Sequence, residues 1–423
     1  MGKVVKLDAG GGQRPAAGRD PAFRRRQQRS RSALVLGGGG FTGGVYEIGA
    51  LRALDLLSVN RTVNQFDVFV GTSAGSFVAA AVASGVSPEE MMRVVVDQAP
   101  LAYPTFSAGA MLKPNYLEYL ARAAPTPWRI ARLLRGLVRN PANVSMVDVV
   151  LGLADFLPSG LYTTSGIERY VRTLLTAEGR TNDFRLLGPE LFLAATDLDT
   201  CERIVFGTAG WDDVPISEAV AASCALPMIY RPVEIKDREL VDGGILSTTN
   251  VDIAVEAGAR FIVVVNPLVP YVNDFDKRIR TFAGSRLRRV SDMGFPQIGY
   301  QTFKLLAYQR LHEMANTWAE RYPGVDIILI EPEPNDELMF QTGIMSYASH
   351  VDVARHGFQS VTLKLAKDYE HFKRICARHG IEISATRVRK VVRHFEGERE
   401  KAGAWRKILE QTTSALLRQS AQD

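Results

Sequence analysis

Five short apolar runs constrain this chain more than any other feature. Ala33-Leu34-Val35-Leu36 and the segments 66–70, 191–195, 261–266 and 326–330 are too short to be helices. They also lack the alternation of a strand with one wet face. Runs of this kind suit strands covered on both sides. Helical patterns lie between them, at 45–57, 74–84, 165–175, 216–224 and 251–257. Gly85 closes the second of these. Ser87-Pro88-Glu89-Glu90 opens a further helix with a capping box, and Ser165-Gly166-Ile167-Glu168 reads as another. Strands alternating with helices predict an α/β fold with a mainly parallel sheet and helices on both faces.

The ends differ from this middle. Residues 1–32 hold nine Lys/Arg against two acids, a charge of +7, while the whole chain is +5. The remaining body is therefore at −2, which argues against a nucleic-acid-binding body. The first 32 residues are rich in Gly, Arg and Gln without apolar periodicity, and are expected to be a disordered basic tail. They carry no apolar core of a signal peptide, and no run reaches the ~20 apolar residues of a spanning helix. Three scattered cysteines predict no disulfide framework and fit a reducing, cytoplasmic setting. No zinc spacing is present, and neither a metal nor a cofactor is expected. Residues 274–321 and 350–423 read as helical and charged, flanking the last strand pattern near 326–330.

Three motifs carry chemistry. Gly71-Thr72-Ser73-Ala74-Gly75 stands where a strand runs into a helix. In that context the pattern presents a serine on a sharp, strained turn at a helix N-terminus, with small flanking residues letting strand and helix approach. Gly38-Gly39-Gly40-Phe41-Thr42-Gly43 follows the first strand. A dinucleotide site there would need an acid at the end of the next strand, a place the Ser73 turn occupies. No Gly-Lys-Ser/Thr follows, so it is no phosphate loop. Amides of Gly38, Gly39, Gly40 and Gly43 beside a nucleophile suit an oxyanion hole.

The serine needs a base, and residues 1–311 contain no histidine. His312, His350, His356, His371, His379 and His394 all lie in late, helical or charged surroundings. A carboxylate is the remaining choice, and Asp242 in Leu240-Val241-Asp242-Gly243-Gly244 follows a short apolar strand. Gly243 and Gly244 allow a tight turn that keeps the carboxylate accessible. Taking a proton from Ser73 requires a raised pKa or a very short contact.

Together these motifs resemble the patatin-like phospholipase family. The likeness extends to Ala194-Ala195-Thr196-Asp197-Leu198-Asp199-Thr200 and to Ala222-Ser223-Cys224-Ala225-Leu226-Pro227, and covers roughly residues 33–267. The resemblance implies a three-layer αβα sandwich related to cytosolic phospholipase A2. It implies hydrolysis of acyl-ester lipids by a Ser73–Asp242 dyad, without histidine or metal. A lid or cap over 101–158 and a helical C-terminal extension over 268–423 complete the expected organisation. Within the former, residues 127–140 place Arg129, Arg132, Arg135 and Arg139 among leucines, a basic amphipathic pattern suited to peripheral membrane contact. Two departures stand out. The glycine loop lacks the family's Arg or Lys before its last glycine, and Val251 follows Asn250 where the family has Asn-x-Pro. The alternatives are a neutral-glyceride lipase or carboxylesterase of the same fold, an α/β-hydrolase with an essential histidine, and a silent membrane adaptor.

Overall fold

The computed structural model describes residues 30–96, 108–123, 157–273, 279–280, 286–287, 289–334, 336, 338–339 and 349–393. The basic stretch at 127–140, most of the 101–158 segment, nearly all of the tail and His394 lie outside them.

The chain opens with β1 (Ser32–Leu36) and α1 (Gly40–Leu57), followed by β2 (Val68–Thr72), α2 (Ala74–Ala83) and α3 (Pro88–Val95). After α4 (Ser165–Leu175) come β3 (Glu190–Asp197), β4 (Arg203–Phe206) and α5 (Ile216–Ser223). The hairpin β5 (Val233–Ile235) and β6 (Arg238–Asp242) leads to α6 (Val251–Glu256) and β7 (Phe261–Val265). Then follow α7 (Phe295–Arg321), β8 (Asp326–Ile330), α8 (His350–Lys367) and α9 (Tyr369–Arg378).

Five strands run parallel in the order β8–β7–β1–β2–β3. β1, β2 and β7 are buried along their whole length, as their mostly apolar sequences require. Alternate residues feed two cores. Leu34, Leu36, Phe261 and Val263 face the core shared with α1, α2, α4, α5 and α8. Ala33, Val35, Ile262 and Val264 face the one shared with α6 and Trp318 of α7. This is the expected three-layer αβα arrangement. The long α8 lies against α1 so closely that Gly49 and Gly357 leave no room for a side chain between the two backbones.

The register explains how two distant residues meet. β2 ends with Thr72 opposite Ala194 of β3. β6 runs antiparallel to β3 and ends with Asp242 opposite Ala195. β4 occupies the other edge of β3, pairing with those same alanines. β2 and β6 therefore point at each other along one edge of β3, and their last residues are neighbours. Within this mainly parallel sheet β6 is antiparallel to β3, and this opposed direction brings its end toward Ser73.

Other expectations need correction. α1 starts at Gly40, not at residue 45, so Gly43 and Gly44 belong to the helix. The capping box expected at Ser165 does not form. Thr164 precedes the helix, Ser165 Oγ pairs with Thr163, and Glu168 turns to Arg172 and Ser217. The helix over 274–321 begins only at Phe295, after a two-residue hairpin pair at Ile279–Arg280 and Arg286–Leu287. Among the described residues no helix is long and apolar enough to cross a membrane.

Candidate active site

Ser73 sits between β2 and α2 with φ 55° and ψ −127°, a backbone region that side chains other than glycine rarely enter. Its neighbours make the turn possible. A Cβ on Gly71 would lie 2.5 Å from the Ser76 Cα, and one on Gly75 2.5 Å from the Leu36 carbonyl carbon. Only glycine lets the strand end, the helix start and the end of β1 pack this closely.

The strained turn is held from behind by the C-terminal end of α5. The Ser73 N–H donates to Ser223 Oγ at 2.9 Å, and Ser223 Oγ donates to the Ala194 carbonyl at 2.6 Å. The Ser73 carbonyl accepts from Ser76 Oγ at 2.5 Å and from Cys224 Sγ at 3.1 Å. Burial, reinforced by the charge of Asp242, pushes the Cys224 thiol up to about 12, so it stays a neutral donor. Ser223 and Cys224 were legible only as members of a family block; nothing in their spacing announced that they clamp the nucleophile's backbone.

Ser73 Oγ donates to Asp242 Oδ2 at 2.5 Å. The other carboxylate oxygen, Oδ1, accepts the Gly244 N–H at 2.7 Å. Asp242 is itself fixed by its N–H to the Ala225 carbonyl, at 3.0 Å. It is 3% exposed, and Ser73 is 7% exposed. Burial pushes the Asp242 carboxyl up to about 6, against the opposing pull of the bonds from Ser73 and Gly244. Gly243 packs on the Ala194 backbone, where a Cβ would clash.

The glycine loop lies against the nucleophile. A Cβ on Gly38 would stand 3.3 Å from the Ser73 Cβ. The four candidate amides are not equivalent. The Gly38 N–H is committed to the Thr248 carbonyl at 3.1 Å, and the Gly43 N–H to the Gly39 carbonyl at 3.0 Å inside α1. Those two are thereby corrected as free donors. Among the described residues, the N–H groups of Gly39 and Gly40 have no acceptor. Gly40 has φ 61°, a left-handed conformation suited to glycine, at the first turn of α1. The helix start therefore presents unbonded amides beside Ser73.

An open, largely apolar cleft extends from these groups. Phe41, Val45, Phe77, Leu226, Tyr230 and Phe303 are among its walls, and Ser73, Asp242, Gly39 and Gly40 lie at its floor. No described histidine lines it. His312 pairs with Glu331, His356 with Asp336 and His379 with Asp326, all remote from Ser73 in sequence and contact.

The sequence profile of the patatin-like phospholipase family matches residues 34–255, which include the glycine loop, Ser73 and Asp242. A probable lipid hydrolase, 463L, of invertebrate iridescent virus 6 is 22% identical over 53% of this chain and 63% of its own length. The uncharacterized protein YqhO of Bacillus subtilis (strain 168) is 26% identical over 48% of this chain and 63% of its own. This chain thus spans less than two thirds of either relative. Among solved structures, VipD of Legionella pneumophila aligns over 80% of this chain and 67% of its own, at 13% identity and a TM-score of 0.35. With its profile matched over more than half its length, the chain belongs to the patatin-like phospholipase family.

Proposed function

We propose that this protein hydrolyses acyl-ester lipids by covalent catalysis, with Ser73 as nucleophile and Asp242 as its acid/base partner. The observation that carries the reading is the 2.5 Å contact between Ser73 Oγ and Asp242 Oδ2 at the floor of an apolar cleft. The family match and the viral relative named a lipid hydrolase support the lipid class.

The acyl chain enters the cleft with its ester carbonyl carbon over Ser73 Oγ. Asp242, ionised above about pH 6, takes the hydroxyl proton as Oγ attacks. The carbonyl oxygen becomes an oxyanion and turns toward the N–H groups of Gly39 and Gly40 at the start of α1. Each such donor is worth about 3 kcal/mol of barrier. Asp242 then passes the proton to the leaving alkoxide, freeing the alcohol and leaving an acyl-Ser73 ester. A water, deprotonated by Asp242, attacks this ester. The second tetrahedral intermediate collapses to a fatty acid, and Ser73 recovers its proton. The clamp from Ser223 and Cys224 keeps Oγ aimed throughout.

Labelling with an alkyl fluorophosphonate tests the nucleophile. The reading expects one adduct, mapped to Ser73, and none in Ser73→Ala. An adduct on another residue, or an unlabelled wild type, refutes it.

A further inference from the structure

The cleft holding Ser73 does not end at its own walls. Behind it lies a second, smaller and partly open apolar hollow, and the two share Ile48 and Phe77. Three helices run from one space into the other. α4 offers Ile167 to the cleft, then Tyr170 and Leu174, at i+3 and i+7, to the second cavity. α2 offers Ala74 and Phe77 to the cleft and Ala81 beyond it; α1 offers Val45 and Ile48. These spacings keep one stripe of each helix facing a single passage. Met91 and Val95 of α3 line the second cavity as well.

Phe77 lies one turn beyond Ser73 on α2, and helix side chains lean toward the N-terminus, here toward the nucleophile. Its ring packs on Tyr170 at 5.6 Å between centroids. Among the described residues, no polar side chain other than Tyr170 lines the second hollow. An apolar cavity of this kind accepts hydrocarbon rather than water. From Ser73 to Ala81 the helix rises roughly 12 Å, so the far cavity lies where the distal end of a long chain bound at Ser73 would be.

We infer that Phe77 is the partition that sets acyl-chain length: with its ring in place substrate chains end in the cleft, and its displacement admits long fatty-acyl chains into the second cavity. This rests on the proposed acyl-ester hydrolysis and deepens it. Each further buried methylene is worth about fourfold in binding, so opening the passage by two methylenes gains roughly fifteenfold.

The test has two readouts. In hydrolysis of soluble nitrophenyl esters from butanoate to palmitate, Phe77→Ala is expected to move the kcat/KM optimum to longer chains by roughly tenfold or more, palmitate against octanoate. Phe77→Leu, a milder truncation, moves it less. Adding Ala81→Leu, which fills the second cavity, cancels the gain. The second readout needs no catalysis. Ser73→Ala and Ser73→Ala/Phe77→Ala are compared for displacement of a fluorescent fatty acid by octanoate, laurate and stearate. The double variant is expected to gain affinity for stearate alone. Unchanged chain-length order in both readouts overturns the inference, as does a gain that survives Ala81→Leu. Absence of ester hydrolysis with the stearate gain intact refutes the proposed function and leaves the partition standing.

Discussion

Replacing Asp242 with asparagine keeps the shape of the side chain and removes its charge. Asparagine still offers an oxygen to the Gly244 N–H and an NH2 to Ser73 Oγ, so neither contact is lost. What changes is the cost of burying a carboxylate. Burial raises the Asp242 carboxyl from its ordinary 3.8 to about 6. The folded chain thus holds this proton more tightly than the unfolded chain, and between about pH 4 and about pH 6 folding takes a proton up. Stability contributed by the neutral acid is present below that window and is lost as pH rises through it. Two units at about 1.4 kcal/mol each place the penalty above pH 6 at roughly 3 kcal/mol. Asp242→Asn escapes this penalty while losing the general base. Urea unfolding of both proteins across this pH range is the assay. The variant is expected to be the more stable by roughly 2–3 kcal/mol above pH 6, with the difference vanishing near pH 4, and to be almost inactive. A variant destabilised by the same amount at every pH would refute the argument that the site holds its base at a cost.

Three other outcomes follow from the same contacts. The kcat/KM of a soluble ester should rise with pH through a single limb near 6, where Asp242 ionises; a limb near 4 would show an unburied base. Ser223→Ala removes the acceptor of the Ser73 N–H and the donor to Ala194, and should cost about 1–3 kcal/mol in unfolding free energy together with a fall in kcat; wild-type values would deny it the clamp role. Gly75→Ala drives a Cβ into the backbone at Leu36, and should lower stability by about 2 kcal/mol or more in denaturant titration.

The fold was legible where burial dictates composition. β1, β2 and β7 announced themselves because strands covered on both faces carry almost nothing but apolar residues. The edge strands β4 and β5 did not, since Arg203 and Glu234 face outward and blur the pattern. Ser73 and Asp242 were legible because one follows a strand and the other ends one, each beside glycines, and because histidine is missing from the first 311 residues. Their meeting was not legible. It depends on β2 and β6 pointing at each other along β3, a register set by pairing between distant segments. The same limit applies to the glycine loop. Sequence alone cannot tell that Thr248 takes the Gly38 amide and that α1 begins early enough to take the Gly43 amide. Ser223 and Cys224 act on backbone atoms of Ser73, and hydrogen bonds of that kind leave no spacing signature.

The most direct measurement is fatty-acid release from phospholipid micelles by wild type, Ser73→Ala, Asp242→Asn and a protein lacking His312, His350 and His356. The dyad predicts release by wild type and by the histidine-free protein, and none above background from the Ser73 and Asp242 variants. Release that survives the loss of Ser73, or that disappears with the histidines while Asp242→Asn remains active, would contradict it.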